Sequence, residues 1–131
     1  MRVRMAIVAA ILLAGCTPVR PVSHVPANRP EPKNPDLGAV MERYYQGVTS
    51  ERWAFVHAML APKLADRYDT DALKARYGRY RDADVQVQEA HGKTMRTTLR
   101  TPTLQAAESA TLTWAGDHWE IAQLAPATLP K

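Results

Sequence analysis

Leu112-Thr113-Trp114-Ala115-Gly116-Asp117-His118-Trp119-Glu120-Ile121 decides the fold of this 131-residue chain. With Gly116-Asp117 as a two-residue loop, Ala115 falls opposite His118, Trp114 opposite Trp119 and Leu112 opposite Ile121. Glycine is suited to the positive φ that a primed hairpin turn demands. In that register Leu112, Trp114, Trp119 and Ile121 share one face, and Thr113 and Glu120 share the wet one. A slip of one residue would carry both tryptophans into solvent, so the pairing is strongly specified.

The same period of two extends back along the chain. A strand runs from about Glu108 to Trp114. Before Pro102, Met95, Thr97, Leu99 and Thr101 alternate with Thr94, Arg96, Thr98 and Arg100, giving one drier and one basic face. Val85 and Val87 alternate with Gln86 and Gln88, and His91-Gly92-Lys93 reads as a turn. Four consecutive strands joined by short turns imply an antiparallel meander.

Upstream the period changes to that of a helix. Leu37, Val40, Met41, Tyr44, Tyr45 and Val48 form one apolar face, with Asn34 as cap and Pro35 at the first helical position. Gly47 weakens the end of this helix. Ser50 is expected to cap a second helix carrying Trp53, Val56, His57 and Leu60, with Glu51 in its first turn. Pro62 breaks or bends it, and Leu64 and Tyr68 continue as a turn or short helical piece. Thr70 is expected to cap a third helix through Leu73 and Tyr77, ending near Gly78. The class is therefore α+β, with about three N-terminal helices packed on a curved four-stranded antiparallel sheet, over residues 36–125.

Residues 1–15 look like an export signal. Arg2 and Arg4 precede an apolar run from Met5 to Ala14, far short of the roughly 20 residues needed to span a bilayer. Leu13-Ala14-Gly15-Cys16 resembles the lipobox of bacterial lipoproteins. That resemblance implies a diacylglyceryl group on Cys16, cleavage before it and acylation of the new amino terminus. Cys16 is also the only cysteine in the chain, so no intramolecular disulfide is possible. The absence of an aspartate at Thr17 favours the outer membrane, facing the periplasm, in a two-membraned source.

Six of the ten prolines fall between Pro18 and Pro35. Residues 16–35 are thus expected to be the lipidated cysteine and a semi-rigid spacer, and 126–131 a loose tail. The formal charge of +4 overstates the basicity of the mature chain. Losing Arg2 and Arg4 leaves 15 basic and 13 acidic side chains, a net +2, which argues against a nucleic-acid partner.

The order of elements, with Tyr44-Tyr45-Gln46 in the opening helix, Trp53 and the final hairpin, resembles the nuclear-transport-factor-2-like, or cystatin-like, superfamily. That family holds small isomerases and dehydratases beside many binding modules, so the likeness implies a fold and leaves the function open.

Three groups are candidates for acid–base chemistry. His57 lies on the face of Trp53, and Glu89 and His91 extend the face of Val85 and Val87. A lone histidine on an apolar face is more often a satisfied core residue, and groups beside a turn are usually wet. Arg76, Arg79 and Arg81, interleaved with Tyr77 and Tyr80, form a candidate anion or partner site, with Arg96 and Arg100 as an extension. Acidic neighbours make a neutralised helix end the simpler reading. Asp66, Asp69 and Asp71 lack the glycine and terminal glutamate of a calcium loop. No metal or cofactor is expected.

The expectation is a lipid-anchored envelope accessory protein, non-enzymatic, that binds another envelope protein or a small ligand. The alternatives are a cofactor-free isomerase, dehydratase or hydrolase using His57 with a carboxylate, and a structural part of an envelope secretion or conjugation machine.

Overall fold

A computed structural model describes residues 28–129. Cys16, the signal before it and most of the spacer lie outside the described residues. In chain order the elements are α1 (Leu37–Thr49), α2 (Trp53–Ala58), α3 (Pro62–Arg67), α4 (Thr70–Tyr77), a 3-10 turn (Gly78–Tyr80), β1 (Asp84–His91), β2 (Thr94–Arg100), β3 (Gln105–Trp114) and β4 (Trp119–Pro126). The strands form one antiparallel sheet in the order β1-β2-β3-β4. The α+β class and the four-strand meander hold; among the described residues there are four α-helices, against about three expected. Pro62 opens a separate helix, with its ring at the start where no amide partner is lost.

Two helix starts differ from expectation for a common reason: a nearby aspartate outcompetes the anticipated cap. Asp36, not Asn34, caps α1, its carboxylate accepting from the Ala39 amide at 3.0 Å. Asp69, not Thr70, caps α4 through the Ala72 amide at 2.8 Å. Ser50 does not cap α2. It belongs to the end of α1, where the Arg52 amide reaches back to the Gly47 carbonyl at 2.8 Å. Glu51 sits in that turn at φ 60° rather than in the first turn of α2.

The last hairpin has the anticipated register, with Leu112 opposite Ile121, Thr113 opposite Glu120 and Trp114 opposite Trp119. Gly116 has φ 97°. Beyond Ile121 a β-bulge inserts Ala122, so Thr111 pairs with Gln123 and Ala110 with Leu124. The extra residue moves the inward set of β4 from odd to even positions, which brings Leu124 and Pro126 opposite Ala110 and Glu108.

The core lies between the helices and the inner face of the sheet. Met41, Tyr44, Tyr45, Val48 and Val56 meet Met95, Leu99, Ala110, Leu112 and Ile121 there. At Gly47 the first two helices touch. A Cβ there would lie 2.8 Å from a Phe55 ring carbon and 2.9 Å from a Val56 methyl, so the glycine permits a close crossing instead of merely weakening α1. Residues 59–61 then run beside β4, the Ile121 amide donating to Met59 and the Ala61 amide to Ile121.

The folded unit extends past both expected limits. Before α1, the Arg29 amide donates to Gly116 at 2.7 Å, and the Trp114 indole donates to the Arg29 carbonyl at 2.7 Å. After β4, the Ala127 amide continues the ladder to Ala107. Among the described residues, no helix is long and apolar enough to cross a membrane.

Candidate functional site

The strongest polar constellation centres on Glu108. Its position follows from strand parity: Glu108, Ala110, Leu112 and Trp114 alternate onto the inner face of β3. The carboxylate is therefore carried into the core, 8% exposed. Burial of a charge is tolerated only with full compensation, and three helix-borne side chains supply it.

Tyr45 of α1 donates its hydroxyl to Oε1 at 2.5 Å, and Tyr77 of α4 donates to the same oxygen. Arg76 covers the other oxygen, with Nε 3.0 Å from Oε2 and Nη2 closer still. Tyr44 completes the set, its hydroxyl 3.0 Å from that of Tyr77. The three phenol rings meet edge to face, with centroids between 4.8 and 6.2 Å apart. A carboxylate offers about four lone-pair sites. All four are used.

Electrostatics follows from this packing. Burial, reinforced by the charge of Glu108 and the neighbouring phenols, pushes the Tyr45 and Tyr77 hydroxyls well above the ordinary tyrosine range. Burial raises Tyr44 as well, offset only in part by its bond to Tyr77. The phenols stay protonated and act as donors. For Arg76, burial works against the charge, and the attraction and hydrogen bonds of Glu108 more than offset it. The guanidinium also stacks near Tyr68 and Tyr77, 5.4 and 5.5 Å from their ring centres.

A cleft of about 240 Å³ opens beside this cluster. Arg76, Tyr77 and Glu108 form its polar wall, and Tyr80, Leu99, Ala106 and Pro126 contribute most of the apolar one. Arg76 remains 29% exposed at its side chain, so the cluster meets the cleft through the guanidinium.

The other anticipated residues are dispersed. His57 is half-buried, and its Nε2 donates to the Ala65 carbonyl at 3.1 Å, tying α2 to α3. Glu89 pairs with Met95 in the ladder, on the face of Val85 and Val87 as anticipated, but is exposed. His91 leaves that face: a bulge at Ala90 shifts the register so that His91 pairs with Thr94, which points opposite to Met95. None of the three lines the cleft.

Of the five anticipated arginines, Arg76 alone reaches it. Arg79 is exposed, and Arg81 lies 3.5 Å from Glu51 and 3.8 Å from Asp82 on the surface. Arg96 and Arg100 belong to the outer face of β2. Arg96 reaches the Thr128 carbonyl, and Arg100 borders a polar depression with Asp84, Gln86 and Thr98. The sheet itself thus separates these two from Arg76. Among the described residues, no group of three or more histidine, cysteine, aspartate or glutamate side chains is arranged to hold a metal ion.

Sequence reasoning placed Tyr44, Tyr45 and Tyr77 in the core and Arg76 at a helix end, yet did not join them to Glu108. A signal existed, a carboxylate in phase with Ala110, Leu112 and Trp114. Its partners are 31, 32 and 63 residues away, and only the tertiary fold brings them together. No family model, curated protein or solved structure matches the chain.

Proposed function

We propose that the mature chain is a lipid-anchored accessory protein of the cell envelope, a binding module that engages another envelope protein through the Arg76–Glu108 cleft. The lipobox-like Leu13-Ala14-Gly15-Cys16 supports the anchor and the location. The saturation of Glu108 is the observation that carries the binding reading. A general base needs a free lone pair aimed at its substrate, whereas every site of this carboxylate is occupied by a fixed donor. Such a cluster is suited to holding Arg76 rigidly at the cleft wall rather than to passing protons.

Size favours a protein partner over a free ligand. Pockets for drug-sized molecules run from about 300 to 1,000 Å³, and about 240 Å³ is room for one or two side chains. The apolar wall would take an aliphatic or aromatic group, and Arg76 would donate to a carboxylate or carbonyl at its end. Crosslinking in intact cells followed by recovery of the chain tests the partner. Replacing Cys16 by alanine and following membrane fractionation tests the anchor, because an unchanged membrane fraction after signal cleavage would remove it.

A further inference from the structure

We infer that the anchor holds the hairpin end of the domain towards the bilayer, so that the Arg76–Glu108 cleft opens away from it and meets partners from the aqueous side. This rests on the lipid-anchor reading and adds an orientation to it. Three contacts fasten the incoming chain at one end of the sheet. The Arg29 amide binds Gly116 in the β3–β4 turn, the Trp114 indole binds the Arg29 carbonyl, and Glu31 pairs with Lys93 of the β1–β2 turn at 2.7 Å. Lys93 in turn lies 5.7 Å from the Trp119 ring centre.

The start of α1 lies at that same end. A Cβ on Gly38 would sit 3.8 Å from the Met95 methyl, near the first residues of β2. From there α1 runs towards the opposite end, where Tyr45 meets Glu108 and the Thr49 carbonyl accepts from the Asp82 amide. The chain therefore enters at the hairpin end even without the Arg29 contacts. The cleft is built from the far ends of the strands: Leu99 near the end of β2, Ala106 and Glu108 near the start of β3, and Pro126 at the end of β4.

Lengths make the asymmetry consequential. Twelve residues separate Cys16 from Arg29, a reach on the order of 40 Å at full extension. The ten residues of β3 put its two ends about 30 Å apart. Laying the far end on the lipid would therefore take a spacer stretched to most of its reach, whereas the hairpin end approaches the lipid at any spacer length.

The test uses full-length lipidated protein in vesicles carrying a quencher lipid, with a fluorophore on Asp117→Cys or on Thr103→Cys. Both positions are exposed and neither belongs to the cleft. The label at 117 is expected to be quenched several-fold more than that at 103. Equal quenching, or stronger quenching at 103, overturns the orientation. Co-flotation with the vesicles separates the two readings: protein that fails to float removes the anchor, and protein that floats with equal quenching removes only the orientation.

Discussion

Arg76 and Glu108, 32 residues apart in the chain, meet through one carboxylate oxygen: Nε and Nη2 of the guanidinium both donate to Oε2. The pairing leaves Oε1 free for two tyrosines, and it joins α4 to β3 where the cleft opens. Removing the carboxylate would strand a partly buried guanidinium and two buried hydroxyls. Glu108→Ala is therefore expected to cost about 3 kcal/mol, at the low end for a broken buried pair because Arg76 keeps some water contact. Urea denaturation checks this, with Glu108→Gln expected to lose less, since its amide oxygen still accepts from the phenols.

Tyr77 should matter more than Tyr45. Both donate to Glu108, but Tyr77 also contacts the Tyr44 hydroxyl. Tyr45→Phe is expected to cost about 1 kcal/mol, and Tyr77→Phe about 2, because it also leaves Tyr44 buried without its partner. Thr97 provides a control. It pairs with Glu108 in the ladder, and its buried hydroxyl has no hydrogen-bond partner among the described residues. Thr97→Val should be neutral or stabilising. Denaturation of the three variants, with double-mutant cycles against Glu108→Ala, would show coupling for the tyrosines alone.

Two backbone positions near the α1–α2 junction should respond in opposite directions. Gly47→Ala would press a methyl onto Phe55 and the fully buried Val56. The strain of about 1–3 kcal/mol outweighs the helix-propensity gain of about 1 kcal/mol, so Tm falls. Glu51 has a left-handed φ of 60°, a conformation costing roughly 1–2 kcal/mol for a residue with a side chain. Its pair with Arg81 is exposed and of little worth. Glu51→Gly is expected to raise Tm.

How much of this was legible beforehand depends on the range of the interaction. The final hairpin was, because two tryptophans, Leu112 and Ile121 can be buried together in only one register. Helix caps were misplaced by one or two residues, since Asp36 and Asp69 stand beside equally plausible caps and local competition decides. The bulges at Ala90 and Ala122 carry no side-chain signal, and the first is what turns His91 away from Glu89. The Glu108 cluster needs three separate segments packed at once. Parity could place the carboxylate indoors, but not name its partners.

His118 gives a pH-dependent handle at the hairpin turn. Its hydrogen bond to Asp117, with support from Glu120 at 2.9 Å, raises its pKa above the ordinary 6.5. A raised value in the folded state means that the stabilisation is present in full below pH 6.5 and is lost as pH rises through the raised value. The Tm difference between the native chain and His118→Gln is expected to be largest near pH 5–6 and to close as pH rises through the raised value. A gap that widens with rising pH would contradict the assignment. The ring is mostly solvated, so the effect is small.

On the proposed reading, a partner binds in the cleft beside Arg76 and Glu108. The most direct measurement places a photo-crosslinking residue at Tyr80, on the cleft wall, and another at Gln123, exposed on the outer face of β4. Both variants of the full chain are irradiated in intact cells. A discrete adduct from position 80 that is absent from position 123 is the predicted result. No adduct from position 80, or the same adducts from both positions, would contradict it.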